Sequence, residues 1–140
     1  MWDFSEIKGR KGTKISENIG RMPGARFFPD AKLNYAENLL RAADNAIAIE
    51  EFREDEFSNA LTRKELESKA LKMAGWMKSK GVKKGDRVCA YMPNCSETII
   101  TMLASSALGA IFSSCSSDFG VEGVIDLSLI HISEPTRPLH

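Results

Sequence analysis

The chain has 140 residues and no formal net charge at pH 7. Its length fits one domain, and 43% hydrophobic with 27% charged residues is the composition of a folded globular protein. A net charge of zero does not indicate the excess of positive charge that binds nucleic acid or an anionic membrane. No apolar run reaches the ~18 residues of a membrane span, and the first residues lack the basic and apolar regions of a signal peptide.

The cysteines and histidines argue against thiol or metal chemistry. Cys89, Cys95 and Cys115 match neither a disulfide framework nor a zinc pattern, which predicts a reducing, cytoplasmic location. With no histidine near them in sequence, we interpret them as small buried residues rather than nucleophiles. The only histidines, His131 and His140, lie in the C-terminal tail. Without that tail the chain has no histidine for catalysis or for a metal.

The first part of the chain predicts an arm followed by a helix. Residues 1–32 contain too many glycines and prolines for a long element and are expected to be irregular. Asn34 has the position of an N-cap, with Glu37 three residues later as in a capping box. The helix that begins there is expected to end near Asp44.

A strand is predicted next, at residues 46–52, followed by a polar turn at residues 53–59. Ala60 and Leu61 are expected to pair back onto the strand. The acidic residues of this region are Glu50, Glu51, Glu54, Asp55 and Glu56. They lack the spacing of a calcium loop, so a solvated hairpin is predicted rather than a metal site.

The clearest predicted element is a helix from Thr62 to Lys80. Thr62 and Glu65 have the spacing of a second capping box, and Gly81 is expected to be the left-handed residue after the helix end. One apolar stripe predicts its buried face: Leu66, Ala70, Met73, Ala74 and Met77.

A β–α–β unit follows. Residues 87–92 form an apolar run of strand length, which predicts a strand buried on both faces of a parallel sheet. Asn94 or Ser96 is expected to cap a largely apolar helix that ends at Gly109. Residues 110–114 are the second strand.

Two loops of this unit are candidate ligand sites, because ligands of open α/β sheets bind beyond the carboxyl ends of the strands. They are residues 93–96 and residues 115–120. The hydroxyls of the second loop can contact a ligand or cap a helix that begins near Gly120. Capping is the favoured interpretation, because serine and aspartate are preferred N-cap residues. The motifs G-x-x-x-x-G-K-[ST], G-x-G-x-x-G and G-x-S-x-G are absent from the sequence.

Several segments resemble the acyl-CoA synthetase branch of the adenylate-forming superfamily. They are residues 22–40, 84–88 with 91–94, and 107–116 with 118–120. The L-N-Y-A-E-N block at residues 33–38 is similar to acetyl-CoA and acetoacetyl-CoA synthetases. The S-S-C-S-x-D-F-G run at residues 113–120 favours the acetoacetyl-CoA synthetase (acetoacetate–CoA ligase) family.

This resemblance implies an α/β fold, the incomplete N-terminal part of the large domain of an adenylate-forming enzyme. Residues 1–32 would be an irregular N-terminal arm, and residues 33–126 a partial adenylate-forming domain containing the β–α–β unit. The parent enzyme would use ATP, Mg²⁺ and CoA. ATP and acetoacetate would form an acyl-adenylate and pyrophosphate, and the CoA thiol would then displace AMP.

The resemblance assigns no catalytic residue and no metal ligand to this chain. The family's phosphate loop, its adenine- and ribose-binding motifs and its C-terminal lysine domain lie downstream of the matched region. The chain alone is therefore expected to be inactive and to need no cofactor. The resemblance places one loop near CoA: Ser116, Ser117, Asp118 and Phe119. Acetyl-CoA synthetases carry two glycines where Ser117 and Asp118 stand.

The expected partners are the small-molecule substrates of the parent and the missing remainder of its own domain, not nucleic acid or membrane. Two alternatives stay open. One is a fragment of an acetyl-CoA or other short-chain acyl-CoA synthetase. The other is a free-standing α/β binding module without catalysis, which the absence of a phosphate loop favours.

Residues 127–140 are expected to be a non-native tail. The resemblance ends at Asp126, and residues 127–137 resemble the translation of a transposase sequencing-library adapter. Residues 138–140 would then be index sequence. The alternative is a genuine short strand at residues 127–132.

Overall fold

The structure, a computed structural model, describes residues 2–52 and 57–128. Its strands are β1 (Ser16–Glu17), β2 (Arg26–Phe27), β3 (Ile47–Phe52), β4 (Phe57–Thr62), β5 (Arg87–Tyr91) and β6 (Ile111–Cys115). Its helices are α1 (Tyr35–Leu39), α2 (Arg63–Ser79), α3 (Ser96–Ala107) and α4 (Val121–Ser128). Within the described ranges, β1–β2 and β3–β4 are antiparallel pairs and β5–β6 is a parallel pair. The predicted α/β class is confirmed.

The N-terminal arm lies against α1. The ring of Trp2, a buried residue, is 5.5 Å from the ring of Phe28 and tilted by 53°. The Asn38 side chain accepts from the backbone N–H of Lys8 at 2.7 Å and donates to the Lys8 carbonyl at 2.9 Å. This side chain satisfies the backbone of the arm at Lys8 as a neighbouring strand would, which holds this part of the arm on α1.

Helix α1 begins as predicted but ends earlier. Asn34 Oδ1 accepts from the backbone N–H of Glu37 at 3.1 Å, which confirms the N-cap. The helix ends at Leu39 instead of continuing to Asp44. We attribute this earlier end to a tertiary contact, because Asp44 contacts the start of α2. Its carbonyl accepts from the Lys64 N–H at 3.0 Å, and its carboxylate pairs with Arg63 at 3.2 Å.

The predicted hairpin is present with a longer second strand. Glu50 pairs with Ala60 and Ile49 pairs with Leu61, as expected. Strand β4 already begins at Phe57, so the predicted polar turn is wrong for residues 57–59. The rest of that turn, residues 53–56, lies outside the described residues.

Helix α2 has the predicted boundaries and buried face. Glu65 N–H donates to Thr62 Oγ1 at 3.2 Å, and the Thr62 N–H donates to Glu65 Oε2 at 2.9 Å, which completes the capping box. Gly81 has a φ of 92°, the left-handed conformation expected after a helix end. The buried residues of the helix are Leu66, Ala70, Ala74 and Met77, and the partly buried Met73 packs beside them.

Thr62→Ala is expected to lower the free energy of unfolding by about 1 kcal/mol, because it removes the N-cap acceptor of α2. Hydrogen bonds from the backbone and hydroxyl of Thr62 lower the pKa of the Glu65 carboxyl. A lowered folded-state pKa contributes stability above the unfolded pKa of about 4.3, and this contribution is lost as the pH falls. Thermal unfolding between pH 7 and pH 3 measures both effects.

The matched variants for that pH dependence are Glu65→Gln and Glu67→Gln. Glu65→Gln is expected to remove part of the loss of stability below pH 5. Glu67 lies on the same helix outside the capping box, so Glu67→Gln keeps the Thr62–Glu65 hydrogen bonds and is the comparison variant. Identical profiles for the two variants would contradict the assigned role of Glu65.

The β–α–β unit has the predicted parallel pairing, but its helix starts differently. Residue Cys95 is the N-cap of α3 and makes no side-chain capping bond, so the prediction that Asn94 or Ser96 caps the helix is wrong. Instead the Ser96 N–H donates to Glu51 Oε2 of β3 at 3.2 Å. A carboxylate from another strand therefore takes the place of a local cap. The predicted helix end is correct, since Gly109 follows it with a φ of 71°.

Strand β5 is buried on one face only, whereas the sequence predicts burial on both. Val88 and Ala90 face the helices, and Val88 packs beside the buried cluster that includes Met77. The other face is exposed at Cys89 and Tyr91.

The core lies between α2, α3, α1 and the β3–β4 hairpin. Leu103 and Ala104 of α3 are fully buried. The main buried cluster consists of Ala36, Leu61, Leu66, Ala70, Ile100 and Leu103. None of the described helices is both long enough and apolar enough to cross a membrane.

Candidate functional site

The two candidate loops begin side by side at one edge of the parallel pair. The register pairs Tyr91 with Cys115, so β5 and β6 end at the same level. The Met92 N–H donates to the Cys115 carbonyl at 3.2 Å and continues the ladder by one bond. The loops at residues 93–96 and 116–119 therefore leave the same edge, where α/β sheets bind their ligands.

The loop at residues 93–96 does not offer an anion site. The Glu51 side chain belongs to a buried residue and accepts from the Ser96 N–H at the start of α3. Hydrogen bonding by its own backbone N–H lowers the pKa of the Glu97 carboxyl, one residue further. Two carboxylates thus occupy the positive end of this helix, and a phosphate there would meet like charge. The cleft beside it, about 280 Å³, is also lined by Glu50.

The prediction that the acidic residues lie on a solvated hairpin is wrong for Glu51, which is buried. Glu50 is exposed as expected, but Glu51 is only 8% exposed and joins the hairpin to α3. In the described ranges, no group of three His, Cys, Asp or Glu side chains is placed to hold a metal ion. Residues 54–56, the other acidic members, lie outside those ranges.

The 116–119 loop is a tight turn held by its own groups. Ser116 Oγ lies 2.8 Å from Asp118 Oδ2 and accepts from the Asp118 N–H at 3.3 Å. The Phe119 N–H donates to the Ser116 carbonyl at 3.2 Å. Helix α4 begins at Val121, close to the predicted start. The Ser116 hydroxyl bonds within the turn, and capping of the helix by the hydroxyls of this loop stays a prediction.

Tyr91, the last residue of β5, also holds the 116–119 turn. Tyr91 Oη lies 3.1 Å from the carbonyl oxygens of both Ser117 and Phe119. The Phe119 ring, half exposed, lies against Gly123, where an added Cβ would be 3.3 Å from Phe119 Cδ1. Tyr91 is not among the candidate site residues that the sequence predicts. No local pattern in the sequence reports this contact, because it depends on the register of β5 against β6.

The loop therefore presents a small surface of mixed character to solvent. Ser117 and Asp118 are exposed, and Phe119 adds an aromatic face. The structure brings together all four residues that the sequence predicts here. It supplies a carboxylate, a hydroxyl and a ring, which can bind a ligand, but no histidine and no lysine is among them.

The burial of Cys89, the cysteine of β5, differs from the prediction. Cys89 is exposed rather than buried as predicted. Partial burial of its thiol and, to a smaller extent, the neighbouring Cys115 thiol raise the pKa of Cys89, so it is a thiol near neutral pH. Cys115 is buried as expected, and the Cys95 sulfur lies 3.6 Å from Thr98 Oγ1.

Comparisons with known proteins identify the family. The profile described as "AMP-binding enzyme" matches residues 37–127. The acetoacetyl-coenzyme A synthetase of Rhizobium meliloti is 44% identical over 126 residues, which cover 90% of this chain and 19% of that protein. The acetoacetyl-CoA synthetase of Xenopus tropicalis is 43% identical over 131 residues, which cover 89% of this chain and 19% of that protein.

A solved structure agrees with these sequence relatives. The acetoacetyl-CoA synthetase from Streptomyces lividans superposes with a TM-score of 0.77 at 32% identity, over 89% of this chain and 20% of that one. The chain spans about a fifth of the length of the relatives that it matches. Its elements correspond to an N-terminal part of the adenylate-forming fold, and the chain belongs to the AMP-binding enzyme family.

Proposed function

We propose that this chain is the first part of an acetoacetate–CoA ligase and that the activity belongs to the longer protein. The observation that carries the proposal is similarity to acetoacetyl-CoA synthetases over nine-tenths of this chain but only 19% of theirs. The parent would join acetoacetate to CoA in the cytoplasm, with ATP converted to AMP and pyrophosphate. In this proposal the chain carries only about a fifth of the enzyme and is inactive by itself.

The open face of the parallel pair supports the same proposal. Tyr91 and Ile111 are both more than half exposed on it. Parallel sheets are normally covered on both faces. The remainder of the domain is the partner that would cover this face in the parent. Residues 33–126 would then be the part of the adenylate-forming domain present here, preceded by the arm at residues 1–32.

In this proposal the 116–119 loop lies near CoA. Asp118 is exposed and gives the loop a negative charge, which disfavours the phosphates of CoA at this point. The hydroxyl of Ser117 and the ring of Phe119 suit an uncharged part of the ligand that carries amides. ATP and Mg²⁺ would be held by the remainder of the parent, because the family's phosphate loop and its adenine- and ribose-binding motifs lie downstream of the part matched here.

The first experiment is to read the source DNA outward from the codon of Asp126. The expected result is that the genomic sequence departs from the chain at Leu127 and runs on to a phosphate loop. Residues 127–140 would then be the adapter-derived tail. If the genome instead encodes residues 127–140 followed by a stop codon, the proposal fails. A non-catalytic α/β binding module is then the remaining interpretation.

The second experiment expresses both the complete gene product and this chain. The complete protein is expected to catalyse ATP–pyrophosphate exchange that depends on acetoacetate, and this chain is expected to catalyse none. Acetate and other short-chain acids are the competing substrates to compare. Exchange with acetate in preference to acetoacetate would assign the parent to a different acyl-CoA synthetase. Exchange by the purified chain would contradict its proposed inactivity.

A further inference from the structure

The Tyr91 side chain lies where it can control the 116–119 loop. It is the last residue of β5 and pairs with Cys115, the residue immediately before the loop. Its ring is on the open face of the sheet, away from α3, and is 53% exposed.

The hydroxyl of Tyr91 contacts the backbone of the loop at two points. Its oxygen is 3.1 Å from the carbonyl oxygens of Ser117 and Phe119, and its single proton is shared between them. These carbonyls lie on either side of Asp118. Among the described residues, Tyr91 is the only side chain from outside the loop that hydrogen-bonds residues 116–119.

We propose that Tyr91 is a positioning residue for CoA, acting by holding the 116–119 loop in the conformation that receives the ligand. This inference rests on the proposed function. The bond between Ser116 and Asp118 shapes the turn internally but does not fix it to the sheet. Tyr91 supplies that attachment, so its hydroxyl sets where Ser117 and Phe119 are presented. CoA reacts only in the second half of the reaction, so adenylation does not depend on this attachment.

The test uses the complete ligase that carries this segment and the substitution Tyr91→Phe. The ring and its packing stay, and only the hydroxyl is lost. The matched control is Tyr35→Phe. Tyr35 is similarly exposed, at 55%, and its hydroxyl makes no hydrogen bond among the residues that the structure describes.

The expected result is a KM for CoA raised about three- to tenfold in Tyr91→Phe, the effect of losing the net contribution of one hydrogen bond. Acetoacetate-dependent ATP–pyrophosphate exchange and the unfolding temperature should stay at the values of the parent. Tyr35→Phe should match the parent in all three measurements.

Two results would overturn the inference and leave the proposed function standing. One is an unchanged KM for CoA in Tyr91→Phe. The other is an equal loss of exchange and of CoA-dependent turnover, accompanied by a lower unfolding temperature, which would make Tyr91 a general structural residue. A parent protein without acetoacetate-dependent exchange would overturn the proposed function itself.

Discussion

Leu103→Ala is expected to lower the free energy of unfolding of the chain by about 3 kcal/mol or more. Leu103 is fully buried on α3 and belongs to the main core cluster. Ala36 and Ala70, two other members of that cluster, are already small and sit on helices. They cannot extend into the space that the leucine leaves, so a cavity would remain. Domains are commonly stable by only about 5–15 kcal/mol, so this single change would remove a large fraction of the total.

The measurement is urea unfolding of the 140-residue chain followed by far-ultraviolet circular dichroism. Leu71→Ala is the matched control, because Leu71 is a leucine on the neighbouring helix α2 that is 55% exposed. Its loss should change the free energy of unfolding by less than about 0.5 kcal/mol. Complete loss of a cooperative transition in Leu103→Ala alone would agree with the prediction. Equal losses in the two variants would contradict the position of the core.

The local signals in the sequence predicted helix starts well. Asn34 and Thr62 both accept the backbone N–H three residues later, as their capping-box spacing indicates. The end of α2 was equally clear, because Gly81 adopts the left-handed conformation that few other residues tolerate. In these cases the atoms that decide the structure lie within one helical turn of each other, and a short sequence window contains them.

Predictions failed where a distant residue replaced a local one. The start of α3 is capped by Glu51, which lies 45 residues before Ser96 in the chain. The end of α1 is set by the contacts of Asp44 with α2, not by the residues of α1 itself. No periodicity or capping pattern in the sequence reports such contacts. They follow only from the packing of the hairpin and helices against one another.

The exposed face of β5 shows a second limit of prediction from the sequence. An apolar strand was expected to be covered on both faces, but Cys89 and Tyr91 are exposed. That pattern predicts a strand in a complete sheet, and the described part of the chain supplies only one covering layer. The location of the candidate loop followed from the β–α–β topology alone. The contact between Tyr91 and the 116–119 loop could not be predicted in this way, because it depends on the register of β5 against β6.

Asn34 connects two helix ends through one side chain. Its Oδ1 accepts from the Glu37 N–H at the start of α1, at 3.1 Å. Its Nδ2 donates to the carbonyls of Ser106 and Ala107 at the end of α3, at 3.0 and 3.1 Å. Helix α1 has only five residues and cannot be stable by itself, so its position depends on such tertiary contacts.

Asn34→Ala is therefore expected to lower the free energy of unfolding by about 2 kcal/mol, of which about 1 is the lost cap and the rest the lost bonds to α3. Asn34→Ser keeps a capping oxygen but not the amide donors, so it should lose about half as much. Asn45→Ala, at an exposed asparagine of the following turn, is the control and should change little. Urea unfolding of the three variants separates the two contributions. If Asn34→Ser is as stable as the unaltered chain, the Asn34 amide does not help to hold α1 on α3, and the short helix is held by its other contacts, the burial of Ala36 and the bonds between Asn38 and Lys8.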